Sequence, residues 1–369
     1  MRVLITGANG FIGRNLIAEL EHRGDYTLLP FTRDNNLEDL EKFSKEADFV
    51  FHLAGVNRPK HEDEFMEGNY QFTSTLLDLL ARNKNACPVM ITSSIQADKQ
   101  NAYGKSKKAG EDLVFAHEAK TGAKALVYRL PNVFGKWCKP NYNSAVATFC
   151  HNISRDIPIR VNDPSTMLNL VYIDDLVTEM INALEGEENR VGDYCEVPIS
   201  HEAQLGEIVE LLQSFKHSRE ELTIPNMSDG FIKKLYSTYL SYLPEDQFSY
   251  PLKMNIDHRG SFTEFIKTAD RGQVSINIAK PGITKGNHWH HTKNEKFLVV
   301  SGTGVIRLRK VGSSEIIECN VSGDKLEVLD IPVGYTHNIE NTGNTDMVTV
   351  MWVNEIFNPE QPDTMVLEV

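Results

Sequence analysis

The chain has 369 residues, of which 41% are hydrophobic and 24% charged, so we expect a folded protein of two domains. A net charge of −13 without any basic stretch argues against nucleic acid as a partner. The N-terminal apolar run is too short for a signal peptide, and no run of about 18 apolar residues predicts a membrane span. We therefore expect a cytoplasmic protein.

The cysteine pattern agrees with a reducing compartment. There are five cysteines, widely spaced and without a CxxC pair: Cys87, Cys138, Cys150, Cys195 and Cys319. An odd, scattered set predicts neither a disulfide framework nor a cysteine zinc site.

Strands alternate with helices through the first half of the chain. The predicted strands are Arg2–Thr6, Tyr26–Thr32, Phe49–Ala54, Pro88–Ser93 and Ala125–Leu130. The predicted helices are Phe11–His22, Asp63–Asn83 and Tyr103–Thr121. This alternation predicts an α/β fold, with a Rossmann-type, doubly wound parallel sheet whose strand C-termini form the ligand-binding edge.

The later chain divides in two. Residues 141–243 remain mixed, with helices predicted at Asp174–Glu185, Glu202–Phe215 and Asp229–Leu240, and complete a first domain, 1–243, as its substrate lobe. Residues 244–256 contain two prolines and little periodicity, which is typical of a linker. Residues 257–369 carry short strands separated by Gly, Pro and Asn, which predicts an all-β barrel or jelly roll.

A glycine-rich turn follows the first strand. Gly7, Gly10 and Gly13 form GANGFIG at the start of the first helix. Small residues allow backbone to approach a pyrophosphate, whose charge is stabilised at the helix N-terminus. Strand, glycines and helix in this order predict a dinucleotide site.

The GxxGxxG spacing resembles the extended, sugar-nucleotide-modifying branch of the short-chain dehydrogenase/reductases. Further segments resemble that family in the same order: HLAG at 52–55, Asn69, YGKSK at 103–107, RLPNVFG at 129–135 and VYIDDL at 171–176. The resemblance spans about residues 1–243. Together with Arg33 at the end of the second strand, this resemblance implies the following cofactor-binding residues: Gly7, Asn9, Gly10, Phe11, Ile12, Gly13, Arg33, Leu53, Ala54, Gly55, Asn69, Tyr103, Lys107, Pro131 and Val133.

The spacing and chemical types of Tyr103 and Lys107 indicate how they could act in catalysis. Four residues apart on a helix, they share one face. A lysine ammonium and a nicotinamide cation would lower the pKa of the tyrosine, so that Tyr103 can protonate a ketone oxygen as hydride arrives at carbon. By resemblance Ser94 polarises that carbonyl, with Ser93 in reserve, although only eight residues separate Ser94 from Tyr103.

The end of the second predicted strand bears on the choice of nicotinamide cofactor. An acidic residue there would bind a ribose 2′-hydroxyl and favour NAD. Here the stretch reads PFTRD, and Arg33 suits a 2′-phosphate, so we predict NADPH, although Asp34 weakens that preference.

The second domain contains a histidine-rich pattern that resembles both motifs of the cupin superfamily. The pattern comprises Gly282, His288, His290, Glu295, Gly302, Pro332, Gly334, His337 and Asn341. In a strand, His288 and His290 point to one face, with His291 on the other, and Glu295 and His337 would come from adjacent strands. Three imidazoles and a carboxylate predict one divalent metal, which Zn, Fe, Mn or Ni would satisfy, with zinc as the leading expectation.

A second resemblance is to the deoxysugar-nucleotide 3- and 3,5-epimerases, which are themselves cupins. It rests on DHRGSFTE at 257–264, KGNH at 285–288 and KFLVVSG from Lys296. It implies proton abstraction beside a 4-keto group, with the enolate stabilised by Lys296 or by the metal. The late strand lacks the family's tyrosine acid, for which Tyr335 is a candidate. If His288 binds metal, another residue or water on the metal must serve as base.

A reductase fused to such a cupin resembles the bifunctional enzymes of capsular polysaccharide synthesis. The resemblance implies a UDP-2-acetamido-2,6-dideoxy-hexos-4-ulose that is epimerised at C3 and then reduced by NADPH. The product would be UDP-2-acetamido-2,6-dideoxy-L-talose, a precursor of N-acetyl-L-fucosamine. Family habit implies a homodimer.

Three alternatives remain open from sequence. The cupin could serve dimerisation or sugar sensing without chemistry. The whole chain could be an NADPH-sensing regulator, although such a sensor would not need the Tyr103–Lys107 pair. The first domain could be an epimerase or dehydratase, but ITSSIQ lacks the acidic residues that dehydratases of this branch place beside the serine.

Overall fold

A computed structural model describes residues 1–369, which form two compact units. The first unit comprises Met1–Gln213 and Asp229–Pro244, and the second comprises Ser214–Ser228 and Glu245–Val369. None of the helices is both long and apolar enough to cross a membrane. All five cysteines are free thiols.

The first unit alternates strands and helices. Its strands are β1 (Arg2–Thr6), β2 (Thr27–Phe31), β3 (Phe49–His52), β4 (Val89–Ser94), β5 (Ala125–Leu130), β6 (Asn132–Phe134), β7 (Met167–Tyr172), β8 (Arg190–Val191), β9 (Tyr194–Cys195) and β10 (His201–Gln204). The helices, the eighth of which crosses into the second unit, are α1 (Phe11–Arg23), α2 (Leu37–Glu46), α3 (Glu64–Met66), α4 (Phe72–Arg82), α5 (Ala102–Thr121), α6 (Ala145–Ile153), α7 (Ile173–Glu185), α8 (Leu205–Glu221) and α9 (Gly230–Leu240).

Seven strands form the main sheet in the order β2-β1-β3-β4-β5-β9-β8, parallel except for the final β9–β8 pair. Both faces of the sheet are covered. Val3 and Ile5 pack into one apolar cluster and Leu4 into another, as a doubly wound sheet requires. The order reverses between β1 and β3, which opens a ligand crevice beyond their carboxyl ends.

The helix predicted at 63–83 is interrupted, and the helix predicted at 202–215 begins later than expected. A π-helical turn, Glu67–Gln71, lies between α3 and α4. Residues 202–204, predicted as helix, belong to β10 because they pair with β7, and α8 begins only at Leu205. Helix α2 was not predicted, although Asn36 and Asp39 form a capping box at its start.

The second unit is an all-β jelly roll. Its strands are β11 (Met254–Asp257), β12 (Gly260–Thr268), β13 (Gly272–Ala279), β14 (Thr284–Trp289), β15 (Glu295–Ser301), β16 (Thr303–Lys310), β17 (Ile316–Ser322), β18 (Val328–Ile331), β19 (Tyr335–Asn341), β20 (Met347–Val353) and β21 (Met365–Val366). They form two antiparallel sheets, β11-β12-β13-β20-β15-β18 and β17-β16-β19-β14-β21, around a core that includes Phe297 and Ile339. The predicted fold classes of both halves are confirmed.

The unit boundary differs from the predicted domains in two places. Residues 214–228, expected in the substrate lobe, belong to the second unit, because the Lys267 amide donates to Leu222 O at 2.8 Å and Thr223 bridges Lys267. The expected linker, 244–256, contains a short 3-10 turn, Glu245–Gln247, and the start of β11.

Candidate functional site

The glycine turn after β1 is shaped by close backbone approach. Gly7 has φ +70°, and a Cβ there would lie 2.7 Å from Ala54 N, so only glycine fits. A Cβ on Gly13 would lie 2.5 Å from Gly7 O. Gly10 caps α1 without a side-chain bond, so the first-turn amides remain directed at the crevice, where they can hold a phosphate.

The structure brings Ser94, Tyr103 and Lys107 together beside this crevice. Ser94 ends β4, and its side chain lies close enough to Tyr103, in the first turn of α5, to lower the pKa of the phenol. Lys107 Nζ lies 6.0 Å from the Tyr103 ring centroid and donates to Thr92 O at 3.1 Å. The short connection before α5 packs on Gly104, where a Cβ would lie 2.4 Å from two carbonyl oxygens. The three predicted catalytic side chains therefore converge.

Burial shifts the pKa values of both Tyr103 and Lys107. It raises the pKa of Tyr103, while the nearby Ser94 hydroxyl acts in the opposite direction. Burial also lowers the pKa of Lys107 to about 8, against the opposing effect of Glu111. The lowering of the tyrosine pKa by a lysine ammonium and a nicotinamide cation together stays a prediction.

Ser93, the reserve candidate, is already engaged. Its hydroxyl donates to Glu111 Oε1 at 2.5 Å, and Glu111 is fully buried in an ion pair with Arg129. Arg129 makes two hydrogen bonds to that carboxylate, at 2.9 and 2.8 Å. Glu111 follows Lys107 by four positions, so its helix face was readable from sequence, but its partner on β5 was not.

Asn69 joins two segments near the site through side-chain hydrogen bonds. Its side chain accepts from Val56 N at 2.8 Å and donates to Val56 O and Ser106 Oγ, both at 3.0 Å. A Cβ on Gly55 would lie 2.9 Å from the Asn69 amide oxygen. The asparagine therefore connects the loop after β3 to helix α5.

The other predicted cofactor residues lie near the carboxyl ends of the central strands or just beyond them. Arg33 is exposed, two residues after β2. The rest surround the turn after β1, the end of β3 and the β5–β6 junction: Asn9, Phe11, Ile12, Leu53, Ala54, Pro131 and Val133.

In the second unit, the four predicted metal ligands form one cluster. The candidate ligand atoms of His288, His290, Glu295 and His337 all lie within 4.8 Å of one another. Glu295 Oε2 is 3.0 Å from His337 Nε2 and 3.5 Å from His290 Nε2. His291 is exposed, as its strand parity predicted. His337 lies on β19, which pairs with β14, as the pattern predicted. Glu295 instead lies on β15 in the other sheet, so it reaches the cluster across the barrel and not from an adjacent strand.

The atoms of the cluster have the properties that a bound cation requires. Nε2 of His290, Nε2 of His337 and Oε2 of Glu295 are buried and face one another, but none of them makes a hydrogen bond of good geometry. Burial lowers the pKa of His288 to about 4, which favours the neutral imidazole that metals bind. Although burial opposes it, the two neighbouring histidines hold the pKa of Glu295 at about 2. Unpartnered donors of this kind suit one divalent ion.

These four residues line a cavity of about 510 Å³ inside the second unit. Both signs of charge line it besides the cluster, with Asp257, Glu264 and Glu355 against Arg259, Lys285 and Lys293. Its volume is within the range of small-molecule sites.

Lys296, predicted as a catalytic residue, lies outside the cavity. It pairs with Asp330 on the outer face of β15 and is half exposed, whereas its neighbour Glu295 lines the cavity. Successive residues of a strand point to opposite faces, so a one-residue offset removes Lys296 from the site. Tyr335 packs with the apolar core instead, and the cavity lining contains no tyrosine.

The cavity is also lined by two lysines that were not among the predicted site residues. Lys285 Nζ has three protein acceptors, Asn277 Oδ1 at 2.9 Å, Ile278 O at 2.8 Å and Ser261 O at 3.4 Å. Lys293 is 6% exposed, donates to Pro362 O at 2.8 Å and lies 3.8 Å from Glu355 Oε1. An ammonium has three donors and only one of these is used in a hydrogen bond, so Lys293 retains capacity for a ligand.

Two families match the chain. Residues 3–195 match the NAD dependent epimerase/dehydratase family, and residues 255–365 match the polysaccharide biosynthesis C-terminal domain. The two matches fall on the Rossmann-type sheet and on the jelly roll, respectively.

Two of the similar proteins align with this chain along its whole length, and a third aligns with part of it. A solved structure of the capsular polysaccharide assembling protein CapF from Staphylococcus aureus is 58% identical, covers 100% of both chains and has a TM-score of 0.96. The UDP-2-acetamido-2,6-beta-L-arabino-hexul-4-ose reductase of Pseudomonas aeruginosa strain PA103 is 46% identical over 100% of this chain and 99% of its own. The UDP-glucuronic acid 4-epimerase of Bacillus cereus, at 19% identity and TM-score 0.55, covers 66% of this chain and 96% of its own and shares the fold alone.

Proposed function

Because the chain belongs to the NAD dependent epimerase/dehydratase family and, along its whole length, to the family of CapF, we propose that it is a bifunctional sugar-nucleotide enzyme. Its substrate is UDP-2-acetamido-2,6-dideoxy-hexos-4-ulose. The second unit epimerises C3, and the first unit then reduces the C4 ketone with NADPH. The product is UDP-2-acetamido-2,6-dideoxy-L-talose, for capsular polysaccharide synthesis.

The reduction is supported by the convergence of Ser94, Tyr103 and Lys107, which is the observation that carries the proposal. When bound, NADPH would supply a hydride to C4. The Tyr103 hydroxyl gives its proton to the ketone oxygen, so that the ketone becomes an alcohol. Ser94 orients the carbonyl, and Lys107 holds the cofactor ribose. Exposed Arg33 favours NADPH by pairing with the 2′-phosphate.

The epimerisation is supported by the cavity of the second unit. His288, His290, Glu295 and His337 would hold one divalent ion, for which zinc is our assignment. When bound, the ion supplies positive charge beside the ketone, which acidifies the C3 hydrogen. We assign Lys293, in place of Lys296, as the lysine that donates to the developing enolate oxygen, because it retains free N–H donors in the cavity.

The chemistry dictates the order of the two reactions. Proton abstraction at C3 requires the C4 ketone, and reduction removes it. Epimerisation must therefore precede reduction.

One isotope experiment tests both activities. The full-length protein is incubated with the UDP-linked 4-keto sugar and NADPH in deuterium oxide, and the product is weighed after return to water. We expect a reduced product with one retained deuterium, at C3, and a slower reaction with NADH. A reduced product without deuterium would assign the second unit to dimerisation or sensing, and no reduction would refute the proposal.

A homodimer is part of the proposal through family habit. Light scattering of the purified protein should give twice the 41.7 kDa chain mass. A monomeric mass would contradict it.

A further inference from the structure

The last residues of the chain contact the loop between two of the proposed metal ligands. This loop, residues 291–294, joins His290 to Glu295. Asp363 lies against it with a backbone φ of +35°, a conformation that few non-glycine residues adopt. Backbone strain of this kind persists where surrounding contacts enforce it, and here those contacts come from the loop.

The carboxylate of Asp363 binds the loop with both oxygens. Oδ1 accepts from His291 N at 3.0 Å. Oδ2 accepts from Thr292 N at 3.0 Å, Thr292 Oγ1 at 3.1 Å and Lys293 N at 3.0 Å. A charged acceptor with four donors holds the two segments in register more firmly than a neutral one.

The carbonyl of the same residue contacts a candidate ligand directly. His290 Nδ1 lies 2.6 Å from Asp363 O, and a carbonyl only accepts, so Nδ1 must carry the proton. The neutral ring then presents its lone pair at Nε2. That atom is buried without a partner and lies 3.5 Å from Glu295 Oε2, inside the ligand cluster.

We propose that Asp363 is a positioning residue of the metal centre: its carboxylate anchors the 291–293 amides so that its carbonyl fixes the tautomer and orientation of His290. This inference rests on the metal site of the proposed function. Histidine ligands commonly donate their second ring nitrogen to such an acceptor, and removal of the acceptor typically weakens metal binding about 10- to 100-fold.

The main test is zinc affinity, measured on the full-length protein by competition with a chromophoric chelator. Asp363→Ala should weaken zinc binding about 10- to 100-fold. Asp363→Asn, which retains one side-chain oxygen, should weaken it less. Asp330→Asn is the matched control, because it removes an exposed carboxylate of the same unit that pairs with Lys296, and it should leave affinity unchanged.

A purely structural role predicts a different result. Asp363→Ala would then lower the thermal midpoint of the metal-free protein while its zinc affinity stayed within twofold of wild type, and this outcome overturns the proposal. A wild-type protein that binds no zinc would overturn it as well. That failure is distinct, because it appears before any variant is made and also removes the proposed metal centre.

A second measurement needs no substitution at Asp363. Ring-nitrogen NMR of metal-free, 15N-histidine-labelled wild-type protein should show His290 protonated at Nδ1. The resonance can be assigned by its loss in His290→Gln. A ring protonated at Nε2 and not at Nδ1 would overturn the proposal even if neither Asp363 variant folds.

Discussion

The two candidate sites differ in how far apart their residues lie along the chain. In the first unit, Tyr103 and Lys107 lie one helical turn apart on α5, and Ser94 ends the strand just before it. In the second unit, the ligand cluster spans His288 to His337 and comes from three strands of two sheets. One site is largely local in sequence, and the other is not.

This difference governs how an alignment error affects each prediction. On a helix, residues three and four apart share a face, so a small offset still places the pair together. On a strand, an offset of one residue reverses the face. Glu295 and Lys296 illustrate this, since one lines the cavity and the other pairs with Asp330 outside it.

The largest expected effect separates the two sites. Tyr103→Phe removes the proton donor and should lower NADPH-dependent reduction about 10²- to 10⁴-fold. Exchange of the C3 hydrogen with deuterium oxide, measured by mass spectrometry without NADPH, should continue. Lys105→Ala, an exposed change on the same helix, is the control. Loss of C3 exchange in Tyr103→Phe would mean that the two activities share one site.

A smaller effect should distinguish the two faces of the second unit. Lys293→Met removes the ammonium that retains free donors in the cavity, and should slow C3 exchange by about 10²-fold. Lys296→Met removes the same charge from the outer face and should leave exchange unchanged. The reverse ranking in the exchange assay would restore Lys296 and refute the assignment of Lys293.

The smallest effect is a pH dependence confined to the first site. Burial lowers the pKa of Lys107 to about 8, so its positive charge is lost as the pH rises through that value. The kcat/KM for NADPH, which reports the free enzyme, should therefore fall about tenfold per pH unit above about 8. Lys107→Arg keeps the charge at alkaline pH and should remove this limb. An unchanged profile in that variant would assign the limb to another group.

Much of the architecture was readable in the sequence because local signals agreed with the fold. Glycines after β1, alternating strands and helices, and short β runs beyond residue 257 predicted both fold classes. Where a long-range partner decided the local structure, prediction failed. Residues 202–204 were predicted as helix but pair with β7. Residues 214–228 were predicted in the substrate lobe, but their bonds to Lys267 place them in the second unit.

The sequence by itself determined which residue types stand at the spacings that carry chemistry: the glycine turn, the Tyr103–Lys107 pair and the four metal-ligand candidates. Tertiary structure decided between neighbours. It left Ser94 beside Tyr103 while Glu111 engaged Ser93, and it directed Lys293 inward and Lys296 outward. It also brought Asp363 to His290, 73 positions earlier in the chain. Helical periodicity is a local property, whereas strand pairing and carbonyl contacts across a barrel depend on residues that no short window contains.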